Sequence, residues 1–379
     1  MFFCISNNRR DNFSLHWVVD NIHIDTDDGW KSQQHESKLF VYKGYLDQGR
    51  LDQQYATVDN SRLGNFCVIA IDQLKKTIKV IADRYRSFPI YVKRHQAITN
   101  LEPLEKTVWT DSVVESNFDL NITECNVDVI GSIDSTELSY RSALEQVDNI
   151  LIERTKNFVA NNDLPIKVFL SGGVDTLLVY SYLVRAGAEF ELVDYNHMDH
   201  DYFWRANDDV IKRYWGYTQI HHWRTPCVLA SGAPGDEFML RSPLTANLFL
   251  LRHGTSIPQL LEQYPDCLHH SYFALEKHMK LFREQQATTQ HADDWTLCNI
   301  VANDWQHWHL GNTVAWTPLR DIEIFKTMLR LPLPYAIDQI MNSGFSKLLI
   351  ERNAPGVTQF LSNQKNIGPV MKNLNRLFS

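Results

Sequence analysis

The sequence predicts an α/β protein in two parts: an antiparallel, β-rich domain over residues 1–130, then a doubly wound parallel-sheet domain over residues 138–379. Three observations carry this. Short runs rich in β-branched and aromatic residues crowd the first third, with connections too short for crossover helices. After residue 138 apolar residues take up helical spacing and alternate with short apolar runs, in the order β-α-β-α-β. Two of those runs end in glycine turns, Ser171-Gly172-Gly173 and Ser231-Gly232, and each turn is followed closely by a carboxylate.

Composition sets the limits. A chain of 379 residues, 44% hydrophobic and 22% charged, has material for about two globular domains. The net charge of −8 argues against a general nucleic-acid or anionic-membrane surface. No apolar run reaches the length of a membrane span, and Met1–Arg10 is too short and wrongly ordered for a signal peptide. Cys4, Cys67, Cys125, Cys227, Cys267 and Cys298 are scattered without a C-x-x-C pair, so reduced thiols and a cytoplasmic location are expected.

In the first domain, Lys38–Leu46, Asn65–Ile71, Thr77–Ala82 and Ile90–Lys93 are the predicted strands. Gly44, Gly64 and Ser87–Pro89 punctuate them, and Asp72–Lys76 is expected to turn a hairpin. In the second domain a helix is expected from Ser135-Thr136-Glu137-Leu138, with Ala143, Leu144, Val147, Ile150, Leu151 and Phe158 on its apolar face. Ile166–Leu170 is the central strand, and a helix from Val174 should close at Gly187. Further strands are expected over 189–196, 217–223 and from Cys227, with a helix over 201–215. Residues 244–312 read as helical and rich in aromatics and histidines, without metal-ligand spacing; His221-His222 likewise reads as a strand-edge pair.

The stretch I-K-V-F-L-S-G-G-V-D-T is the centre of the chain's chemistry. A glycine turn from strand to helix presents backbone N–H groups to an anion, and Ser171 and Thr176 add hydroxyls. Asp175 would repel a phosphate, and a bridging Mg²⁺ resolves that conflict. The spacing is not that of the Walker-type phosphate loop. It resembles the S-G-G-x-D-[ST] loop of the PP-loop ATP pyrophosphatases. The later stretch C-V-L-A-S-G-A-P-G-D-E-F resembles, without a gap, a second nucleotide-contacting turn in asparagine synthetases. Upstream, F-V-Y-K-G-Y-L, L-G-N-F-C-V-I-A-I-D and I-A-D-R-Y-R-S-F-P-I-Y resemble that family's N-terminal glutaminase domain.

The resemblance implies an Ntn-hydrolase-like α+β domain followed by a PP-loop synthetase domain. It implies ATP and Mg²⁺ as cofactors, with Leu170, Ser171, Gly172, Gly173, Asp175, Thr176, Ser231 and Gly232 at the nucleotide, and Asp175 and Asp236 sharing the metal. Glu237 stands beside them. Ser346–Arg352 and Gln364–Gly368 look like the family's two lysine segments, so Lys347 and Lys365 are carried over as catalytic cations on pyrophosphate and the acyl-adenylate. Thr317–Asp321 resembles the Pro-Phe-Leu-Asp helix start of the same family.

Departures shape what the resemblance can mean. The glutaminase nucleophile is a cysteine directly after the initiator Met, and here that position is Phe2, with Cys4 two residues late. The family's oxyanion-hole Asn-Gly is Lys43-Gly44, a flexible cation in place of a neutral amide. Both point to a retained fold without glutamine hydrolysis. Only 60 positions separate Ser171 from Ser231, fewer than in the family. The related β-lactam synthetases carry a Tyr where Ala233 stands. The expected activity is therefore AMP-forming ligation of a small-molecule carboxylate to an amine or ammonia, with no nucleic-acid or membrane partner and with room for a homodimer. A non-catalytic scaffold and an intramolecular cyclase are the rivals.

Overall fold

The computed structural model describes residues 3–6, 9, 14–26, 28–59, 62–83, 119–122, 136–169, 172–193, 225–233, 235–241, 245–246, 249 and 312–361. It is a mixed α/β protein with two antiparallel-type sheets and one parallel sheet of four strands.

The N-terminal sheets pack face to face. Strands β1 (Phe3–Ser6), β2 (Leu15–Val19) and β3 (Ile22–Thr26) form an antiparallel trio in the order β1-β3-β2. Strands β4 (Lys31–His35), β5 (Lys38–Leu46), β6 (Gly64–Asp72), β7 (Thr77–Ala82) and β8 (Asp119–Ile122) form the second sheet in sequence order. The period-2 pattern of its middle strands is apolar on both faces. Leu39, Val41, Cys67, Ile69 and Ile71 pack with Ile5, Ile22 and Ile24 of the trio, while Phe40, Tyr42, Phe66 and Val68 point away. Against those last residues lie Leu51 of the short helix α1 (Leu51–Gln54) and Tyr55. The hairpin at Asp72–Lys76 forms as expected, with Asp72 Oδ1 accepting from the amides of Leu74 and Lys75. One expectation fails: β8 pairs with β7 in parallel, so the domain is not antiparallel throughout. The expected strand Ile90–Lys93 lies outside the described residues.

The second sheet domain holds β9 (Ile166–Phe169), β10 (Glu191–Val193), β11 (Cys227–Ala230) and β12 (Thr313–Trp316), all parallel, in the order β10-β9-β11-β12. Helix α2 (Tyr140–Asn161) precedes the sheet and α3 (Val174–Arg185) follows β9. The N-cap of α2 is Ser139, whose hydroxyl accepts from the Ser142 amide, and not the predicted Ser135–Thr136. Arg330 explains the shift: its backbone carbonyl takes the Leu138 amide and its Nε donates to the Thr136 carbonyl, holding 136–138 outside the helix. Helix α3 ends as predicted at Gly187, which adopts φ +68° while the Ala188 amide reaches back to the Leu183 carbonyl. Its side chains are buried almost throughout, against α2, the sheet and α7 (Gly344–Asn353). Between come α4 (Gly235–Phe238), α5 (Ile322–Met328), capped by Asp321, and α6 (Leu333–Asn342). Strand β10 falls within the predicted 189–196, of which 194–196 lie outside the described residues, as do the elements expected over 201–215 and 217–223.

A buried polar knot joins the N-terminal sheets to the parallel-sheet region. Arg154 on α2 donates to Asp47 Oδ2 at 2.8 Å, to Asp321 Oδ2 at 3.1 Å and to the Pro318 carbonyl at 3.0 Å. Asn65 donates to the Ala315 carbonyl at 2.8 Å, and Tyr45 meets Phe158, which stacks on Trp316. Cys67 and Cys227 are buried free thiols, and burial pushes Cys227 up to about 11, away from thiolate chemistry. No described helix is long and apolar enough to cross a membrane.

Candidate functional site

The order β10-β9-β11-β12 fixes where a ligand belongs. From β9 the chain crosses through α3 to β10 on one side, while β11 lies on the other. The crevice outside the carboxyl ends of β9 and β11 is thus a topological switch point, the usual ligand position in such sheets. Both glycine turns leave those two strand ends.

The first turn starts from β9. Leu170 and Ser171 lie outside the described residues. Gly172 is buried with φ +78°, a left-handed conformation suited to glycine, and Gly173 is the N-cap of α3 with no side chain capping the helix. Asp175 stands in the first turn of α3, and Thr176 behind it is buried. The second turn starts from β11. The Ser231 amide bonds the Trp316 carbonyl, and its hydroxyl accepts from the Ala233 amide at 3.1 Å. The Gly235 amide closes the turn on the Gly232 carbonyl at 2.7 Å, and Asp236 and Glu237 follow in α4.

The turns touch through their glycines. A Cβ on Gly232 would lie 2.3 Å from the Asp175 carbonyl carbon and 2.4 Å from the Thr176 amide nitrogen. One on Gly235 would lie 2.5 Å from Asp175 Cγ. This contact brings Asp175 and Asp236 together. Burial pushes the Asp175 carboxyl up to about 7; Arg241 opposes the shift and the Asp236 charge reinforces it.

Arg241 is the residue that sequence reasoning missed. Its guanidinium spans both carboxylates, one nitrogen 2.6 Å from Asp175 Oδ1 and another 2.8 Å from Asp236 Oδ1. The Arg241 side chain is 18% exposed and that of Asp175 15%, whereas Asp236 is 54% exposed. The buried Leu240 before it holds φ +58°, and the Arg241 amide bonds the Asp236 carbonyl at 2.7 Å. This six-to-one bond is a helix-ending turn with leucine where glycine is usual.

The other predicted residues divide. Glu237 is half-buried on α4 beside the pair. Lys347 lies on the exposed face of α7, whose opposite face packs on α3, and its side chain makes no hydrogen bond or ion pair with a described residue. Lys365 lies outside the described residues, as do His221 and His222. Lys43, expected to be flexible, is instead buried, with Nζ donating to the Asp28 carbonyl at 3.1 Å. It lines a cleft of about 130 Å³ with Tyr42, Tyr45, Phe158, Asn162 and Val314, apart from the carboxylate pair.

The donor set suits a hard divalent cation. Two carboxylates converge on a single positive charge, and the glycines bare the backbone around them. Among the described residues no three His, Cys, Asp or Glu side chains gather as a metal site, so phosphate oxygens would have to supply further ligands. No protein-family model matches the chain, and no curated protein is significantly similar to it.

Proposed function

We propose that this protein is an asparagine-synthetase-like, AMP-forming carbon–nitrogen ligase, with a PP-loop synthetase domain behind a degenerate Ntn-hydrolase-like domain. One observation carries the proposal: two glycine turns at adjacent parallel-strand ends deliver Asp175 and Asp236 to one cation. ATP would lie across both turns, on Leu170, Ser171, Gly172, Gly173, Thr176, Ser231 and Gly232, with Mg²⁺ held by the two carboxylates and the phosphates. Bound Mg²⁺ would offset phosphate charge. In the reaction a substrate carboxylate oxygen bonds the α-phosphorus and pyrophosphate leaves. An amine or ammonia then attacks the acyl carbon, loses a proton, and AMP departs. Lys347 and Lys365 are assigned to the charge that develops, and Glu237 to the same site. The buried Lys43 at the oxyanion position supports ligation without glutamine hydrolysis.

Asp175→Asn and Asp236→Asn test the proposal. Each should weaken Mg·ATP binding by about 1.5–3 kcal/mol, the value of a charge-assisted contact. Calorimetry with Mg·ATP and AMP release over a panel of carboxylates are the readouts. Unchanged affinity in both variants would refute the assignment. A second reading, a scaffold that keeps the fold without the reaction, is favoured by the Arg241 bridge across the metal-binding pair. Nucleotide binding without AMP release from any carboxylate would favour it.

A further inference from the structure

Arg241 stands where the ligase reading puts a metal ion. A divalent cation bridging Asp175 and Asp236 and a guanidinium bridging the same oxygens compete for one place. The chain holds its guanidinium there by design of the backbone. Leu240 is fully buried and left-handed, and the turn it makes folds Arg241 back over the first residues of α4. In a continuing helix, residues five apart would not share a face. The arginine also answers an electrostatic need. Asp175 is mostly buried beside a second carboxylate, so the two turns would repel each other if nothing positive stood between them.

We infer that Arg241 is an exchangeable internal counter-cation: it clasps Asp175 and Asp236 in the nucleotide-free protein, yields them to Mg²⁺ on loading, and then turns to the phosphate chain. This rests on the ligase reading and adds to it an order of binding. Metal alone must displace Arg241 and leave the guanidinium without a partner. Metal arriving with a polyphosphate gives it new acceptors, since the planar fork fits phosphate oxygens as well as carboxylates. Metal and nucleotide therefore bind with positive coupling, and Arg241 is the residue that couples them.

The test uses the full chain and Mn²⁺ as the probe, with bound metal read by electron paramagnetic resonance, with and without ATP. Arg241→Met should bind Mn²⁺ alone about tenfold or more tighter than wild type, the size of one charge-assisted contact removed from competition. The same variant should gain nothing, or lose, for Mn²⁺ with ATP. Arg241→Lys keeps a charge but cannot span both carboxylates, so it should fall between the two. If Arg241→Met misfolds, the wild-type chain still decides: saturating Mn²⁺ alone should speed phenylglyoxal labelling of Arg241, followed by peptide mass. Equal Mn²⁺ affinity in wild type and Arg241→Met, or labelling indifferent to Mn²⁺, overturns the exchange while leaving the ligase reading standing if Mn·ATP binds. Absence of Mn²⁺ binding in every chain, with or without ATP, overturns both.

Discussion

Replacing Gly232 with alanine asks whether the two turns must touch. The new Cβ would sit 2.3 Å from the carbonyl carbon of Asp175 and 2.4 Å from the amide nitrogen of Thr176. Carbon contacts are comfortable from about 3.5 Å, so one turn has to retreat by roughly 1 Å. Both obstacles are backbone atoms, and no rotamer change relieves the overlap. Overpacking of this kind costs about 1–3 kcal/mol. The retreat also displaces Asp175 and opens the carboxylate pair. Gly187→Ala is the control. With φ +68° and nothing within 4 Å of the added atom, it should suffer only the left-handed penalty of about 1–2 kcal/mol. Urea unfolding should therefore show similar losses for the two variants. Calorimetry should separate them: Gly232→Ala should lose about tenfold or more in Mg·ATP affinity, and Gly187→Ala should keep wild-type affinity. Wild-type Mg·ATP binding by a folded Gly232→Ala would show that the close approach plays no part in nucleotide binding.

Arg154→Met strands the buried Asp47 and Asp321 carboxylates and should cost about 3–5 kcal/mol in urea unfolding at neutral pH. Burial already raises the Asp47 carboxyl and loss of the arginine raises it further, so part of that cost should return as pH falls; a loss below about 1 kcal/mol contradicts the reasoning. A second expectation concerns Asp175, raised to about 7 by burial. Its stability contribution is complete below the unfolded value near ~3.9 and is lost as pH rises through about 7, because the folded chain favours the protonated form. Cation binding has the opposite slope: Mn²⁺ affinity should climb about tenfold per pH unit up to about 7 and then level off, and a flat profile would dismiss Asp175 as a ligand. Lys365→Ala should reduce AMP production by about 10²–10³ with Mg·ATP affinity nearly unchanged, and normal turnover would remove Lys365 from the catalytic set.

Local signals were the legible ones. The strand–glycine–helix unit was visible because an apolar run, two glycines and a glycine stop sit within one short stretch, and each acts on its own neighbourhood. The pair β6–β7 was visible for the same reason, being two short apolar runs joined by the turn at Asp72–Lys76. Lys31–His35 was not, because an exposed edge strand of sequence K-S-Q-Q-H carries no apolar alternation. The parallel β7–β8 pair brings Thr77 to Asp119, and no local pattern announces that distance. The Arg154–Asp47 bond spans 107 positions, and nothing in the residues around Arg154 announces it.

Arg241 shows where chemical reasoning from a sequence meets its limit. The sequence exposed a charge problem, Asp175 in a phosphate-binding turn with Asp236 on the facing one, and a metal ion is the general solution to it. The structure meets the same demand with a side chain five residues beyond Asp236. That spacing is mute in both regular periods, since a helix would turn Arg241 away from Asp236 and a strand would carry it far off. Only the left-handed turn at Leu240 makes the contact, and a buried leucine is not a residue from which such a turn is predicted. The conformation costs about 1–2 kcal/mol in a residue without glycine's freedom. Burial of the Leu240 side chain in the core offsets that strain. Leu240→Gly separates the two contributions. It frees the turn but empties a core position, so stability should fall by about 2–4 kcal/mol, the cavity term outweighing the strain released. Mn²⁺ affinity should rise as well, because the turn loses the buried side chain that anchors it and with it Arg241 over the carboxylates. Lower stability with unchanged Mn²⁺ affinity would mean that the guanidinium keeps its place without that anchor.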